Sequence, residues 1–193
     1  MGKNRLEAFS DGVLAIIITI MVLELKVPHG ADLAALAQLW PVFLSYVLSF
    51  VYVGIYWNNH HHLLQAARKV DGAALWANLH LLFWLSLLPF TTGWMGENEF
   101  SRWPVTLYGL NLLLAAIAYK LFQDRLIRLA GDESRIARAI GGDTKGWLSP
   151  ALYLAGIACA QLAQAWIGML FFSAVALLWV IPDRRMERAV SES

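Results

Sequence analysis

The sequence predicts an all-α, polytopic membrane protein: one domain, residues 1–193, that crosses the bilayer six times. Three observations predict it. Of 193 residues, 59% are apolar and only 15% are charged, against about 25% charged in soluble domains. The charges are also clustered, with no Asp, Glu, Lys or Arg from Leu36 to Ala67 or from Gly146 to Pro182. Water solvates such surfaces poorly over those lengths, so a lipid bilayer is the natural solvent. Finally, the Lys and Arg residues fall on alternate connections, a pattern that an even number of crossings produces.

Six apolar segments can be drawn, near 10–27, 38–64, 72–94, 104–124, 147–166 and 168–182. A hydrocarbon core of about 30 Å needs about 20 helical residues, which the first four segments supply. The last two come from one apolar run, Trp147 to Pro182, too long for a single span and divided near Trp166–Gly168. Pro28, Pro41, Pro89, Pro104, Pro150 and Pro182 fall at or near the proposed ends, where a missing amide donor costs least. Trp40, Trp94, Trp103, Trp147, Trp166 and Trp179 sit near ends as an interfacial belt.

With six spans, one side of the membrane holds Lys3, Arg5, Arg68, Lys69, Lys120, Arg125, Arg128, Arg135, Arg138, Lys145, Arg184, Arg185 and Arg188. The other side holds only Lys26 and Arg102. The basic side is cytoplasmic, which places both termini there in a cell membrane. The segment 131–146, with Gly131, Gly141, Gly142 and Gly146, reads as a polar cytoplasmic linker, and the tail after Pro182 reads as solvated.

Several classes are set aside. A net charge of +1 does not suggest nucleic acid as a partner. The single Cys159 permits no disulfide within the chain. The N-terminal stretch lacks a cleavable signal pattern and reads as a permanent helix. No Walker loop, dinucleotide loop or nucleophile elbow occurs, so no enzyme activity and no cofactor are expected. His60-His61-His62 invites a metal reading, but adjacent helical residues point about 100° apart and cannot all grip one ion. Network histidines are the preferred reading, with neutral-range titration giving His60 or His61 a route to pH sensitivity; His29 and His80 read as structural or exposed. Lys120 and Gln123 read as snorkelling residues, and Gln161 and Gln164 as helix-to-helix hydrogen bonders.

The first helix, Arg5 to Leu25, is the most informative stretch. Ser10 and Asp11 are strong N-cap types. Asp11 at the edge of the hydrocarbon needs a partner, and Arg5 lies within reach in the same chain or a neighbour. Helical spacing places Ile16, Ile20 and Leu23 on one stripe, with Thr19 beside it. From that pattern alone the preferred reading is a lipid-facing or core-facing stripe.

The motif Arg5, Phe9, Ser10, Asp11, Gly12, Val13, Ala15, Ile16, continuing through Thr19 to Leu23, resembles the first-helix signature of the transmembrane protein 175 family, the endosomal and lysosomal potassium channels and their prokaryotic relatives. Trp57, Asn58, Asn59, His60 and His61 are similar to that family's Trp-x-x-His-His in helix two, and Asn78 with Leu85 to Phe90 is similar to its third helix. The resemblance implies a prokaryotic, single-repeat, six-helix subunit that assembles as a homotetramer, with four first helices lining a central pore. It implies that Ile16 forms the constriction, that Thr19 lines the pore, and that Leu23 adds an apolar layer. It further implies that Arg5, Phe9, Ser10 and Asp11, with Trp57, His60 and His61, form a network holding the pore helix. Potassium ions would be the permeant species, and the lipid bilayer the other partner.

Such a pore has no ring of carbonyls or carboxylates to replace hydration water. Tyr52-Val53-Gly54-Ile55-Tyr56 only echoes a potassium filter and lies within a helical pattern. Potassium sheds water more cheaply than sodium, so a tight apolar ring favours it modestly, and hydrophobic constrictions gate by dewetting. Glu24 falls near the outer mouth, where four copies would concentrate cations; the alternative is an interfacial residue paired with Lys26. The competing function is a secondary transporter or proton pathway using Asp11, Glu24, His60 and His61. A transporter is expected to show internal repeats and midplane charges, and neither is evident.

Overall fold

The structure, a computed structural model, describes residues 2–67, 69–131 and 144–180. Arg68, Arg135, Arg138, Pro182, Arg184, Arg185, Arg188 and most of the proposed 131–146 linker lie outside the described residues. Among those residues the regular structure is entirely helical: α1 (Lys3–Leu23), α2 (Leu33–Ala37), α3 (Trp40–Ala66), α4 (Gly72–Ser86), α5 (Leu88–Glu97), α6 (Arg102–Ala130), α7 (Thr144–Leu162) and α8 (Ala165–Val180).

Four stretches are long and apolar enough to cross a membrane: α1, α3, α4 with α5, and α6. The proposed fifth and sixth spans correspond to α7, of 19 residues, and to α8, an apolar helix of 16. The long apolar run divides at Ala163 and Gln164, just before the expected Trp166–Gly168.

Two proline expectations need correction. Pro89 does not close a helix but restarts one: α4 stops at Ser86 and α5 begins at Leu88. A proline at 89 cannot donate to the carbonyl four residues back, and its ring crowds that carbonyl. Pro150 lies inside α7, not at its edge. Pro41 does sit in the first turn of α3, where the missing donor is harmless.

The core is built around α6, whose Val105, Tyr108, Leu112, Ala115, Ala118 and Phe122 are fully buried. This helix packs on α4, α5, α7 and α8, while α1 packs on α3, α4 and α5. The tightest crossing needs glycine. The Phe172 ring of α8 sits where a Cβ on Gly109 would come within 2.2 Å of Cζ, and one on Gly156 within 2.6 Å of Cε1. The Tyr52 hydroxyl donates to the Phe172 carbonyl at 2.6 Å, fixing α3 to α8. Tyr52 to Tyr56 therefore belong to a continuous packed helix. Gln161 donates to Thr106 at 2.7 Å, the helix-to-helix bond expected of it.

At the basic end, the Asp71 side chain caps α4 through the Ala74 amide at 2.8 Å and receives Arg125 from α6. The Arg125 hydrogen bond, then that amide, holds the Asp71 carboxyl below its ordinary value of 3.8. A depressed folded pKa gives stability that is complete above the ordinary value and is lost as pH falls through the lower one. Asp71→Asn is thus expected to flatten the acid dependence of thermal stability below about pH 4, measurable by melting the purified protein across an acid series. A wild-type acid limb retained in the variant would refute the assignment.

The candidate pore helix and its polar anchor

Ser10 and Asp11 do not cap α1. The helix begins at Lys3 with Gly2 in extended conformation before it, so both residues lie well inside. Ser10 is fully buried, and its hydroxyl donates to the Leu6 carbonyl at 2.9 Å. The Asn78 amide nitrogen of α4 donates to Ser10 Oγ at 2.9 Å. That leaves the Asn78 carbonyl facing His60 Nε2 of α3 at 2.8 Å, so this ring nitrogen carries the proton. The result is a one-way chain of donors, His60 to Asn78 to Ser10 to Leu6, crossing three helices. His60 is buried and stacks on Phe122 of α6 at 5.4 Å and 16°, and its Nδ1 has no partner among the described residues.

Two further bonds tie α1 to α3. Trp57 Nε1 donates to Asp11 Oδ1 at 3.1 Å. His61 Nδ1 lies 3.0 Å from Glu7 Oε1, and Gln65 Nε2 lies 2.8 Å from the other His61 nitrogen. Because an amide nitrogen only donates, His61 Nε2 accepts and Nδ1 carries the proton toward Glu7. Trp57 stacks on His61 at 6.0 Å and 18°. Of the expected network residues, Ser10 and His60 are joined through Asn78, Asp11 bonds Trp57, and His61 bonds Glu7 and Gln65. Arg5 does not join them: it is exposed, and Asp11 is bonded to Trp57. Phe9 is 48% exposed and points away from this anchor.

Sequence reasoning missed Glu7, Gln65 and Phe122 and gave Asn78 no place in the site. Asn78 had a signal, as a lone carboxamide in an apolar run, and the other three had none. His60 and His61 take separate partners, as the 100° spacing requires, and the His62 ring lies 5.7 Å from that of His61.

The other face of α1 is bare. Leu6, Ser10, Leu14, Ile17 and Met21 are buried, whereas Ile16, Ile20 and Leu23 are 58%, 41% and 80% exposed. Gly12 and Thr19 are exposed on the same side. The Thr19 hydroxyl donates to the Ile16 carbonyl at 2.8 Å, which leaves its oxygen lone pairs free to meet another group. At the far end, Glu24 caps α1 and is exposed, but Lys26 pairs with Glu97 of α5 and not with Glu24. The short ion pair of Lys26 is thus with Glu97, and Glu24 adds a longer-range attraction to it.

Known proteins resemble this chain in sequence and in fold. The family model of the endosomal/lysosomal potassium channel TMEM175 matches residues 5–89, the segment that holds the anchor. A protein of Chryseobacterium sp. (strain P1-3) described as a potassium channel is 53% identical over 193 residues, covering 100% of both chains. The human protein described as the endosomal/lysosomal proton channel TMEM175 is 35% identical over 116 residues, spanning 54% of this chain and 23% of its own length. The crystal structure of a lysosomal potassium-selective channel TMEM175 homolog from Chamaesiphon minutus superposes with a TM-score of 0.80 at 29% identity, covering 94% of this chain and 97% of that one. The chain belongs to the TMEM175 family.

Proposed function

We propose that this chain is one subunit of a homotetrameric, potassium-favouring channel of the cell membrane. Each subunit crosses six times with both termini cytoplasmic, and four copies of α1 line the central path. The observation that carries this reading is the two-faced character of α1. One face is pinned to α3 and α4 by directional hydrogen bonds, and the other leaves Ile16, Ile20 and Leu23 exposed among the described residues. Rigid anchoring is what a helix needs if its free face is to set the bore of a pore.

In this reading Ile16 is the narrowest ring. It supplies no oxygen ligands, so ions pass by shedding part of their water, and potassium sheds it more cheaply than sodium. The Thr19 oxygens lie next along the path, Leu23 forms a second apolar layer, and Glu24 draws cations to the outer mouth. Relatives described as potassium channels support the choice of ion. The description of the animal relatives as proton channels makes proton passage the second reading. From Gly12 to Leu23 the helix carries no titratable side chain, and Asp11, His60 and His61 are engaged in bonds, so protons would travel through pore water.

The test is ion flux through purified protein in liposomes, read with potassium, sodium and pH dyes in parallel, with the mass of the assembly measured in detergent. Four copies of the 21.6 kDa chain and an uncoupled, saturation-poor flux of potassium over sodium are expected. Flux strictly coupled to a second solute would overturn the channel reading in favour of a transporter.

A further inference from the structure

Arg5 belongs to the same signature as Ser10 and Asp11, yet it is absent from the anchor. Its position explains why. Arg5, Phe9, Gly12, Ile16, Ile20 and Leu23 recur at spacings of three and four, so Arg5 stands on the bare stripe of α1. All six are exposed. The nearby carboxylates lie on the anchored side, where Glu7 meets His61 and Asp11 meets Trp57. The Arg5 side chain has no hydrogen bond or ion pair among the described residues. Eleven residues separate it from Ile16, about 16 Å along the axis.

We infer that Arg5 forms a positive ring at the cytoplasmic mouth that makes potassium current rectify inward. This rests on the pore reading above. Four guanidiniums beside low-dielectric walls focus their field into the entrance and deplete potassium there. Outward current begins at that entrance and is starved. Inward current begins at the opposite end, beside Glu24, and is not. The asymmetry follows from the positive charge of the four guanidiniums. It depends on salt, because the Debye length shrinks from about 10 Å at 0.1 M to about 3 Å at 1 M.

The experiment is a charge series, Arg5→Lys, Arg5→Gln and Arg5→Glu, recorded in inside-out patches with equal potassium on both sides. The wild type is expected to carry about threefold more inward than outward current at matched voltages in low salt, a modest effect for a focused field. Arg5→Lys keeps that ratio, Arg5→Gln brings it to unity, and Arg5→Glu inverts it. Raising the salt collapses the wild-type ratio toward unity. A positioning role for the guanidinium would instead make all three variants alike, and that result, or a ratio untouched by Arg5→Gln, would overturn the inference while leaving the pore reading intact. A wild type without potassium current would overturn both. If Arg5→Glu does not assemble, Arg5→Lys and Arg5→Gln still decide.

Discussion

Replacing Ile16 by Asn is expected to raise potassium conductance about tenfold, the change produced by removing roughly 1.4 kcal/mol from a barrier, and to bring the potassium-to-sodium permeability ratio close to one. Ile16 is 58% exposed within its subunit, so the substitution disturbs little intrasubunit packing, and its effect is read at the proposed pore. In the proposed pore, four branched aliphatic chains meeting at an axis would leave a narrow, dry ring that ions cross only by shedding water. Four carboxamides supply donors and acceptors that hold water in the ring, so sodium and potassium both keep their shells. Two comparisons isolate the cause. Ile17, one residue on, is 3% exposed, so Ile17→Asn buries an unpartnered amide and lowers stability and yield. Leu79 is exposed on α4, and Leu79→Asn is expected to leave the permeability ratio alone. Reversal potentials under mixed potassium and sodium gradients measure the result. An unchanged ratio in Ile16→Asn would remove Ile16 from the constriction.

Four of the six proposed spans were legible because hydropathy and the absence of charge report one physical quantity, the depth of the hydrocarbon. The same signal misplaced the start of α1. The apolar run opens at Ser10 and Asp11, so they read as caps, whereas the helix itself begins at Lys3. Hydropathy marks where lipid begins, and backbone helicity continues through the interface because each internal hydrogen bond favours the next turn. The break at Leu87 was legible only as a proline in a helical pattern. Whether such a residue kinks, ends or restarts a helix depends on the neighbours that satisfy the freed carbonyls, and these are contacts distant in sequence.

The site divides the same way. The alignment of Ile16, Ile20 and Leu23 on one stripe of α1 was readable from period alone, since it needs only 3.6 residues per turn, but that the stripe is exposed was not. The anchor was readable in membership but not in wiring. Ser10, Asp11, Trp57, His60 and His61 came from a motif, and a motif does not say which atom meets which. Arg5 was carried into the network by that motif and lies outside it, because motif membership records co-occurrence while exposure records position. Glu24 shows the limit at short range: Lys26, two residues away, pairs instead with Glu97 of another helix.

Asn78 is where the anchor is most vulnerable, and Asn78→Ala is expected to cost about 1–3 kcal/mol. An average hydrogen bond between membrane helices contributes about 0.6 kcal/mol and the strongest about 1.7. Asn78 makes two of them, to Ser10 and to His60, and links three helices. The larger part of the cost comes from what remains. The His60 Nε2 proton is left without an acceptor in a pocket closed by Phe122, and a buried unpaired donor loses its full solvation. Ser10 suffers less, since it still donates to Leu6. A melting temperature lowered by several degrees is expected, along with a lower current per assembled channel as α1 loses its fixed bearing. The double variant His60→Phe with Asn78→Leu tests the mechanism. If the cost is an orphaned donor, removing donor and acceptor together restores much of the lost stability, because apolar replacement of both partners is close to neutral. If Asn78 acted through packing alone, restoring its volume with Asn78→Leu by itself would rescue equally well. An Asn78→Ala protein that melts like the wild type would show that the relay from His60 to Ser10 does not hold the pore helix in place.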